Sequence, residues 1–230
     1  MQIPKKIGHI WIGPLNPPTP WMQSWRDYHP DWEYTLYDND YLIGRKWRNQ
    51  ALITAYFKQR KYAGVSDLMR YELLYENGGF LPEADSTCLR PCDELFTDEC
   101  AYTVYENEEL RPDLVSPLLA CEKGNDFVRK LIKALRRLAP EDLGKPWLTT
   151  GNAFMRKMIR RTKPDIIIFP SHYFIPEHYK GLSYDGPGHA FADQKWGTTQ
   201  GSYNEFNEGL LPRDHRRRRE PIIEGLESWL

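Results

Sequence analysis

The sequence predicts an α/β domain in which a mixed central sheet is flanked by helices. Short apolar runs at residues 7–13, 80–81 and 165–169 recur between longer segments of helical spacing. The opening order of strand, strand, helix, helix, strand belongs to a layered α/β sheet rather than to a helical bundle. Between residues 62 and 89 a helix, a double-glycine turn and a short buried strand follow one another directly. With 230 residues, 40% of them hydrophobic, the chain has enough apolar material for one core, so residues 1–230 are read as a single domain.

Taken in order, Ile7-Gly8-His9-Ile10-Trp11-Ile12-Gly13 reads as a buried first strand running into a glycine-proline turn. A proline-rich loop at 16–20 leads to a short helix over 21–28 and a second strand ending at Tyr37. Asp38-Asn39-Asp40 has the composition of a turn, since Asp and Asn bond their own backbone there. A helix is expected over 48–62, then a stronger one over 64–76, where Val65, Leu68, Met69 and Leu73 recur at helical spacing. Asn77-Gly78-Gly79 ends it, because glycine accepts the left-handed conformation of a C-terminal cap. Phe80-Leu81 follows as a strand that breaks at Pro82 into Glu83-Ala84-Asp85.

Further on, residues 101–105 and 118–120 read as strands separated by an acidic, proline-bearing loop. Residues 125–139 form the clearest amphipathic helix, with Phe127, Leu131, Leu135 and Leu138 inward and a basic outer face. A helix over 153–161, a strand over 165–169 and a loop at 201–212 that reads as mobile complete the pattern. The dense positive run Arg216-Arg217-Arg218-Arg219 precedes a short amphipathic end at 222–230.

Composition narrows the function. Eight Trp and fourteen Tyr supply flat surfaces for stacking on rings, and the net charge of −1 gives no broad electrostatic grip on nucleic acid or membrane. Cys88, Cys92, Cys100 and Cys121 show no paired C-x-x-C spacing, which reads as reduced thiols in a cytoplasm rather than a zinc site. The first residues lack the apolar run of a signal peptide, and no stretch approaches the roughly 20 apolar residues that span a bilayer. A soluble, cytoplasmic protein is expected.

Asp67 and Arg70 lie three apart and share one helix face, while Glu83 and Asp85 lie two apart in an extended segment. An acidic pair at a strand end suits a hard divalent cation, and a neighbouring arginine suits anionic oxygen or sugar hydroxyls. Taken singly, each of these residues reads first as part of a surface ion pair or a polar turn; their co-occurrence beside the double glycine turns the balance toward a site.

The stretch carrying Ser66, Asp67, Arg70, Tyr71, Gly78, Gly79 and Glu83-Ala84-Asp85 resembles the sugar-nucleotide core of the family 32 glycosyltransferases, of mannosyltransferase and capsular-polysaccharide type, and distantly that of glycosylating toxins. Ile3-Pro4-Lys5, Ile10-Trp11-Ile12-Gly13 and His29-Pro30-Asp31-Trp32 are similar to the same family, and Thr150-Gly151-Asn152 stands where it often has Thr-Gly-Pro close to the donor sugar. The chain departs from the pattern in three places: glutamate 83 replaces the first aspartate of Asp-x-Asp, Gly8 occupies a usual histidine position, and Gln194 replaces a late histidine.

The resemblance implies the GT-A architecture, with residues 1–100 as the nucleotide-sugar half and 101–230 as the acceptor side and closing segment. It implies a nucleotide-sugar-dependent hexosyl- or pentosyltransferase that retains anomeric configuration, using a UDP- or GDP-sugar. The resemblance further implies that Trp11 and Ile12 lie beside the base, that Ser66, Asp67 and Arg70 hold the sugar, that Glu83, Asp85 and Gln194 hold Mn²⁺ or Mg²⁺, and that Trp196 and Thr198 close over the phosphates. It makes Asp67, Arg70 and Asp85 the expected catalytic set. The loop at 106–117 reads either as an acceptor-site wall or as a solvated loop. A glycan or small-molecule acceptor is expected. The alternatives are hydroxylated bases in DNA, gripped through Arg216, Arg217, Arg218 and Arg219, and a sugar-nucleotide-binding module without turnover.

Overall fold

The computed structural model describes residues 3–117 and 119–207. In chain order the elements are β1 (Lys6–Ile10), α1 (Thr19–Tyr28), β2 (Glu33–Tyr37), α2 (Asn39–Ile43), α3 (Gln50–Lys58), α4 (Tyr62–Asn77), β3 (Gly79–Phe80), β4 (Ser86–Cys88) and β5 (Ala101–Val104). They continue with β6 (Ala120–Cys121), α5 (Asp126–Leu135), α6 (Pro146–Thr149), α7 (Asn152–Thr162), β7 (Ile166–Phe169), β8 (Glu177–His178), β9 (Leu182–Ser183), β10 (Ala192–Gln194) and α8 (Gly197–Gln200). The mixed α/β architecture expected from the sequence is present.

Six strands form the central sheet in the order β2-β1-β3-β6-β5-β7. β1 runs parallel to β2 and β3, β5 runs parallel to β7, and β6 is antiparallel to both β3 and β5. Two reversals restore direction, so β1, β3 and β5 all point the same way. Their carboxyl ends share one edge of the sheet, where open α/β sheets place their ligand crevice. A second ribbon, β4 antiparallel to β10, brings the late segment 192–194 alongside residues 86–88.

Alternation along the strands divides the core in two. Ile10, Leu81, Ala101 and Cys121 belong to the cluster shared with α3, α4, α5 and α7. Ile7, Phe80, Tyr102 and Ala120 belong to the cluster on the opposite face, which is built around Trp25, Trp32, Phe96 and Phe169. All four cysteines are free and buried, Cys121 in the helix-side cluster and Cys88, Cys92 and Cys100 in the other.

The central helix α4 is buried on almost every side, including its polar residues Asp67, Arg70 and Glu72. Glu72 is consumed structurally: its carboxylate accepts from the backbone N–H groups of Arg48 and Asn49 at 2.7 and 2.8 Å, where α3 begins. Gly78 then ends the helix at φ 65, and Gly79 continues at φ 94 against the Lys6 carbonyl of β1. A side chain at either glycine would meet both a strained backbone and packed neighbours, so the double-glycine turn fixes how α4 feeds β3.

Several boundaries differ from the sequence expectation. The segment read as one helix over 48–62 ends at Lys58, and Arg60 takes a positive φ of 56 that starts the turn into α4. Asp38-Asn39-Asp40 is a helix start rather than an isolated turn, with Asp38 accepting from the Tyr41 N–H as N-cap. The strand expected at 118–120 is found as β6 at Ala120–Cys121, and the helix at 125–139 closes at Leu135 with Asn125 as its cap. Among the described residues no helix is long and apolar enough to cross a membrane.

His9 is fully buried in β1, with Nδ1 3.1 Å from the Tyr34 hydroxyl and Nε2 unpartnered. Burial pushes its pKa down to about 3, and the nearby Arg70 charge adds to this. The unfolded chain takes the proton first, so this contribution to stability is intact above pH 6.5 and erodes as pH falls toward 3. Urea midpoints between pH 7 and pH 4.5 are expected to fall, and His9→Asn to flatten that slope; an unchanged slope in the variant would assign the acid sensitivity elsewhere.

Candidate active site

The shared edge of β1, β3 and β5 opens into a cleft of about 920 Å³. Four stretches far apart in sequence line it: Trp11 and Ile12 after β1, Ser66, Asp67 and Arg70 on α4, Glu83 and Asp85 after β3, and Gln194, Trp196 and Thr198 near the end of the described chain. Every residue singled out from the sequence as a site residue therefore faces one hollow. Asp67 and Arg70 reach it because α4 presents one face to the strand ends, and residues 82–85 turn there without regular pairing.

Asp67 is 7% exposed and accepts a 2.8 Å hydrogen bond at Oδ2 from the Thr150 hydroxyl. Burial raises its pKa to about 7; the Thr150 bond and the Arg70 charge pull the other way without cancelling it. Thr150 is itself placed by the α6–α7 junction, and its carbonyl receives the Tyr71 hydroxyl at 2.5 Å. The Thr-Gly-Asn segment thus supports the α4 carboxylate directly.

Arg70 is held on two sides. Nη1 donates to the Leu81 carbonyl at 2.5 Å and Nη2 lies 3.0 Å from Glu83 Oε1, while its buried Nε has no hydrogen-bond partner. An orphaned buried donor at a cleft wall costs free energy until an oxygen arrives to accept from it. Glu83 is raised in pKa chiefly by burial, with Arg70 opposing and Asp85 adding to the rise.

Asp85 is engaged at every oxygen. Gln194 Nε2 donates to Oδ1 and the Gly197 N–H to Oδ2, both at 2.8 Å, and the Lys195 N–H donates to its carbonyl at 2.6 Å. Burial raises its pKa, against the Gly197 and Gln194 bonds. This arrangement departs from the expected cation set. Gln194 turns its N–H toward Asp85 rather than its oxygen toward a metal, and Glu83 is paired with Arg70. Among the described residues no three His, Cys, Asp or Glu side chains are grouped to hold an ion. The side chains alone therefore make no complete cation cage; Mn²⁺ or Mg²⁺ held here by Asp85 and Glu83 would take its remaining oxygens from a diphosphate and water.

The segment after β10 is packed rather than loose as far as it is described. Tyr203 meets the Trp11 indole edge-on at 4.8 Å, Phe206 meets Trp21 at 4.8 Å, and the Asn16 N–H donates to Asn207 Oδ1 at 2.8 Å. The loop reading of 201–212 is thereby corrected for residues 201–207; residues 208–212 and the run Arg216–Arg219 lie outside the described residues. Composition alone gave no reason to single out Tyr203, whose role depends on a partner nearly two hundred residues away. Trp11 Nε1 donates to the Leu15 carbonyl at 2.7 Å, which fixes the plane of the ring that Tyr203 touches.

Gly197 sits under the Tyr203 ring so closely that a Cβ there would overlap it. Gly197→Ala is therefore expected to lift Tyr203 off Trp11. The measurement is limited proteolysis together with tryptophan fluorescence: faster cleavage near residues 197–207 and a changed emission are expected, and a wild-type pattern would show the ring contact to be incidental.

Residues 20–102 match the glycosyltransferase sugar-binding region containing the DXD motif. The segment includes β2, α4 and the turn bearing Glu83 and Asp85, so the match takes in the α4 and strand-end walls of the cleft, while Trp11 and residues 194–198 lie outside it. The fold is similar to that of the PaToxG glycosyltransferase, with a TM-score of 0.58 at 16% identity over 70% of each chain. A protein from STIV aligns at a TM-score of 0.33 and 12% identity, over 80% of this chain and 96% of that one. No curated protein matches the sequence.

Proposed function

We propose that the protein is a retaining glycosyltransferase that moves a sugar from a nucleoside diphosphate donor to an acceptor hydroxyl. The observation that supports this reading is the convergence of Trp11, Asp67, Arg70 and Asp85 on one cleft. The Trp11 indole offers an apolar face beside which a base excludes water. Asp67 keeps Oδ1 for a sugar hydroxyl while Thr150 holds Oδ2, and Arg70 Nε supplies a donor to a sugar or phosphate oxygen. Arg60 and Lys61 line the same cleft and place positive charge where a diphosphate leaves.

In the step proposed, the bond from the anomeric carbon to the diphosphate oxygen breaks and the acceptor oxygen bonds on the same face. The acceptor's proton passes to the departing phosphate oxygen. No carboxylate is assigned as a covalent nucleophile. The donor is a UDP- or GDP-sugar, and the acceptor a glycan or small molecule; DNA as acceptor would rest on Arg216–Arg219, outside the described residues.

The deciding experiment is a titration with UDP and GDP followed by tryptophan fluorescence, paired with nucleotide release from UDP- and GDP-sugars with and without Mn²⁺. Saturable binding and slow release are expected, with release lost in Asp67→Ala and binding of the free nucleotide kept. Failure of both nucleotides to bind at millimolar concentration would sink the reading. The Glu83–Arg70 pairing and the inverted Gln194 amide favour one second reading, a sugar-nucleotide-binding module without turnover, which predicts binding indifferent to Mn²⁺ and no release.

A further inference from the structure

The wall of the cleft across from the Trp11 side carries a carboxylate that the donor site does not use. Glu106 follows β5, the third of the parallel strands whose ends form the cleft, and its side chain is 12% exposed. The turn is fixed by its own N–H, which donates to the Leu114 carbonyl at 2.9 Å, and by the bridge between Tyr105 and Val115. Asn152 Nδ2, at the start of α7, donates to Oε2 at 2.9 Å, and Arg111 Nη1 lies 3.5 Å from Oε1.

The carboxylate's third neighbour is His178, 2% exposed, whose Nε2 stands 3.6 Å from Oε1, beyond hydrogen-bond reach. The Lys180 N–H donates to Nδ1 at 3.3 Å, so the neutral ring carries its proton on Nε2. That buried N–H completes no hydrogen bond of its own. Glu106 thus has one close partner, Asn152 at Oε2, while the donors about Oε1 stand at 3.5 and 3.6 Å, far enough for a hydroxyl at ordinary hydrogen-bond distance to be the better partner.

Beside Glu106 the cleft is lined by Trp147, which is 44% exposed although it is a large apolar side chain. Arg111 lies 5.7 Å from the indole centroid, so one guanidinium touches both the carboxylate and the ring. A flat exposed indole next to an anchored carboxylate is a platform for a ring with C–H groups on its face and hydroxyls at its rim. The electron-rich indole face attracts the C–H groups, and the carboxylate accepts from a hydroxyl.

We propose that Glu106 and Trp147 form the acceptor subsite and that the acceptor is a saccharide: its ring stacks on Trp147, and one of its hydroxyls donates to Glu106 Oε1, which sets the hydroxyl presented to the donor. The proposal rests on the glycosyl-transfer reading and names the substrate class for it. Glu106 binds and orients; the proton of the reacting hydroxyl still leaves with the phosphate.

The test uses the full chain with whichever UDP- or GDP-sugar it turns over, and a panel of methyl hexosides as acceptors. Transfer to at least one glycoside is expected in the wild type. In Glu106→Ala, kcat/KM for that glycoside is expected to fall roughly ten- to a hundredfold, as for a lost bond to a charged acceptor. Trp147→Ala is expected to raise the acceptor KM more than it lowers kcat. UDP or GDP affinity, read by fluorescence, is measured in each variant to separate subsite loss from misfolding.

Equal fall in nucleotide affinity and transfer would overturn the assignment of Glu106 to the acceptor. Donor turnover without transfer to any hexoside would overturn the saccharide class while leaving glycosyl transfer standing. Absence of nucleotide binding in the wild type would remove the underlying reading, and this proposal with it.

Discussion

Asp67→Asn is expected to melt at a higher temperature than the wild type above pH 7 while losing donor turnover. The buried carboxyl has a pKa of about 7 against 3.8 in the unfolded chain. With its folded value raised, it is protonated in the native state up to about pH 7 but ionised in the unfolded state above 3.8. Stability is therefore lost as pH rises through this window, by on the order of 4 kcal/mol for a shift of this size. Asparagine keeps an oxygen for the Thr150 hydroxyl and carries no charge to desolvate. Its advantage should be large at pH 8 and small at pH 4, read from urea midpoints at the two values. Turnover is expected to fall a hundredfold or more, in the range seen when a positioned group at the reacting centre is removed. A variant no more stable than wild type at pH 8 would mean that Asp67 is compensated better than its burial implies.

Asp85→Ala is expected to act in two places. It removes the acceptor for Gln194 and for the Gly197 N–H, which together tie the segment after β10 to the strand end. It also removes the carboxylate that faces the cleft. The buried Gly197 N–H is left without a partner, a cost of about 1–3 kcal/mol, and the half-buried Gln194 amide loses its acceptor at a smaller cost. Sugar-nucleotide turnover should drop by at least two orders of magnitude, and residues 195–207 should exchange their amide hydrogens faster. Slower turnover with unchanged exchange would separate the two roles and show that the late segment is held by Tyr203 and Asn207 instead.

The parts of this molecule legible in sequence are those whose physics is local. The helix through Asp67 and Arg70, the glycine pair that ends it and the strand before Pro82 are set by spacing and by backbone conformation, and each stands where expected. Gathering Trp11, Asp67 and Asp85 into one hollow followed from their resemblance to a known pattern, and the parallel sense of β1, β3 and β5 supplies the physical reason. What sequence did not reveal depends on partners distant along the chain. Thr150 caps Asp67 across 83 positions, Tyr203 reaches Trp11, and Gln194 presents its nitrogen rather than its oxygen. Side-chain amide orientation has no sequence signature at all. The boundary between α3 and α4 has no compositional mark, because the positive φ of Arg60 breaks a run whose composition is continuous.

The burial of the four thiols gives the molecule a built-in clock for its own opening. Cys121 sits among the helices on one side of the sheet, and Cys88, Cys92 and Cys100 lie on the other. An alkylating reagent therefore reaches each only when that layer parts. Pulsed labelling with site assignment by mass would show whether the two layers separate together or one ahead of the other. Because three reporters lie on the side that carries β4, the same experiment with nucleotide added would show which layer a ligand in the cleft braces.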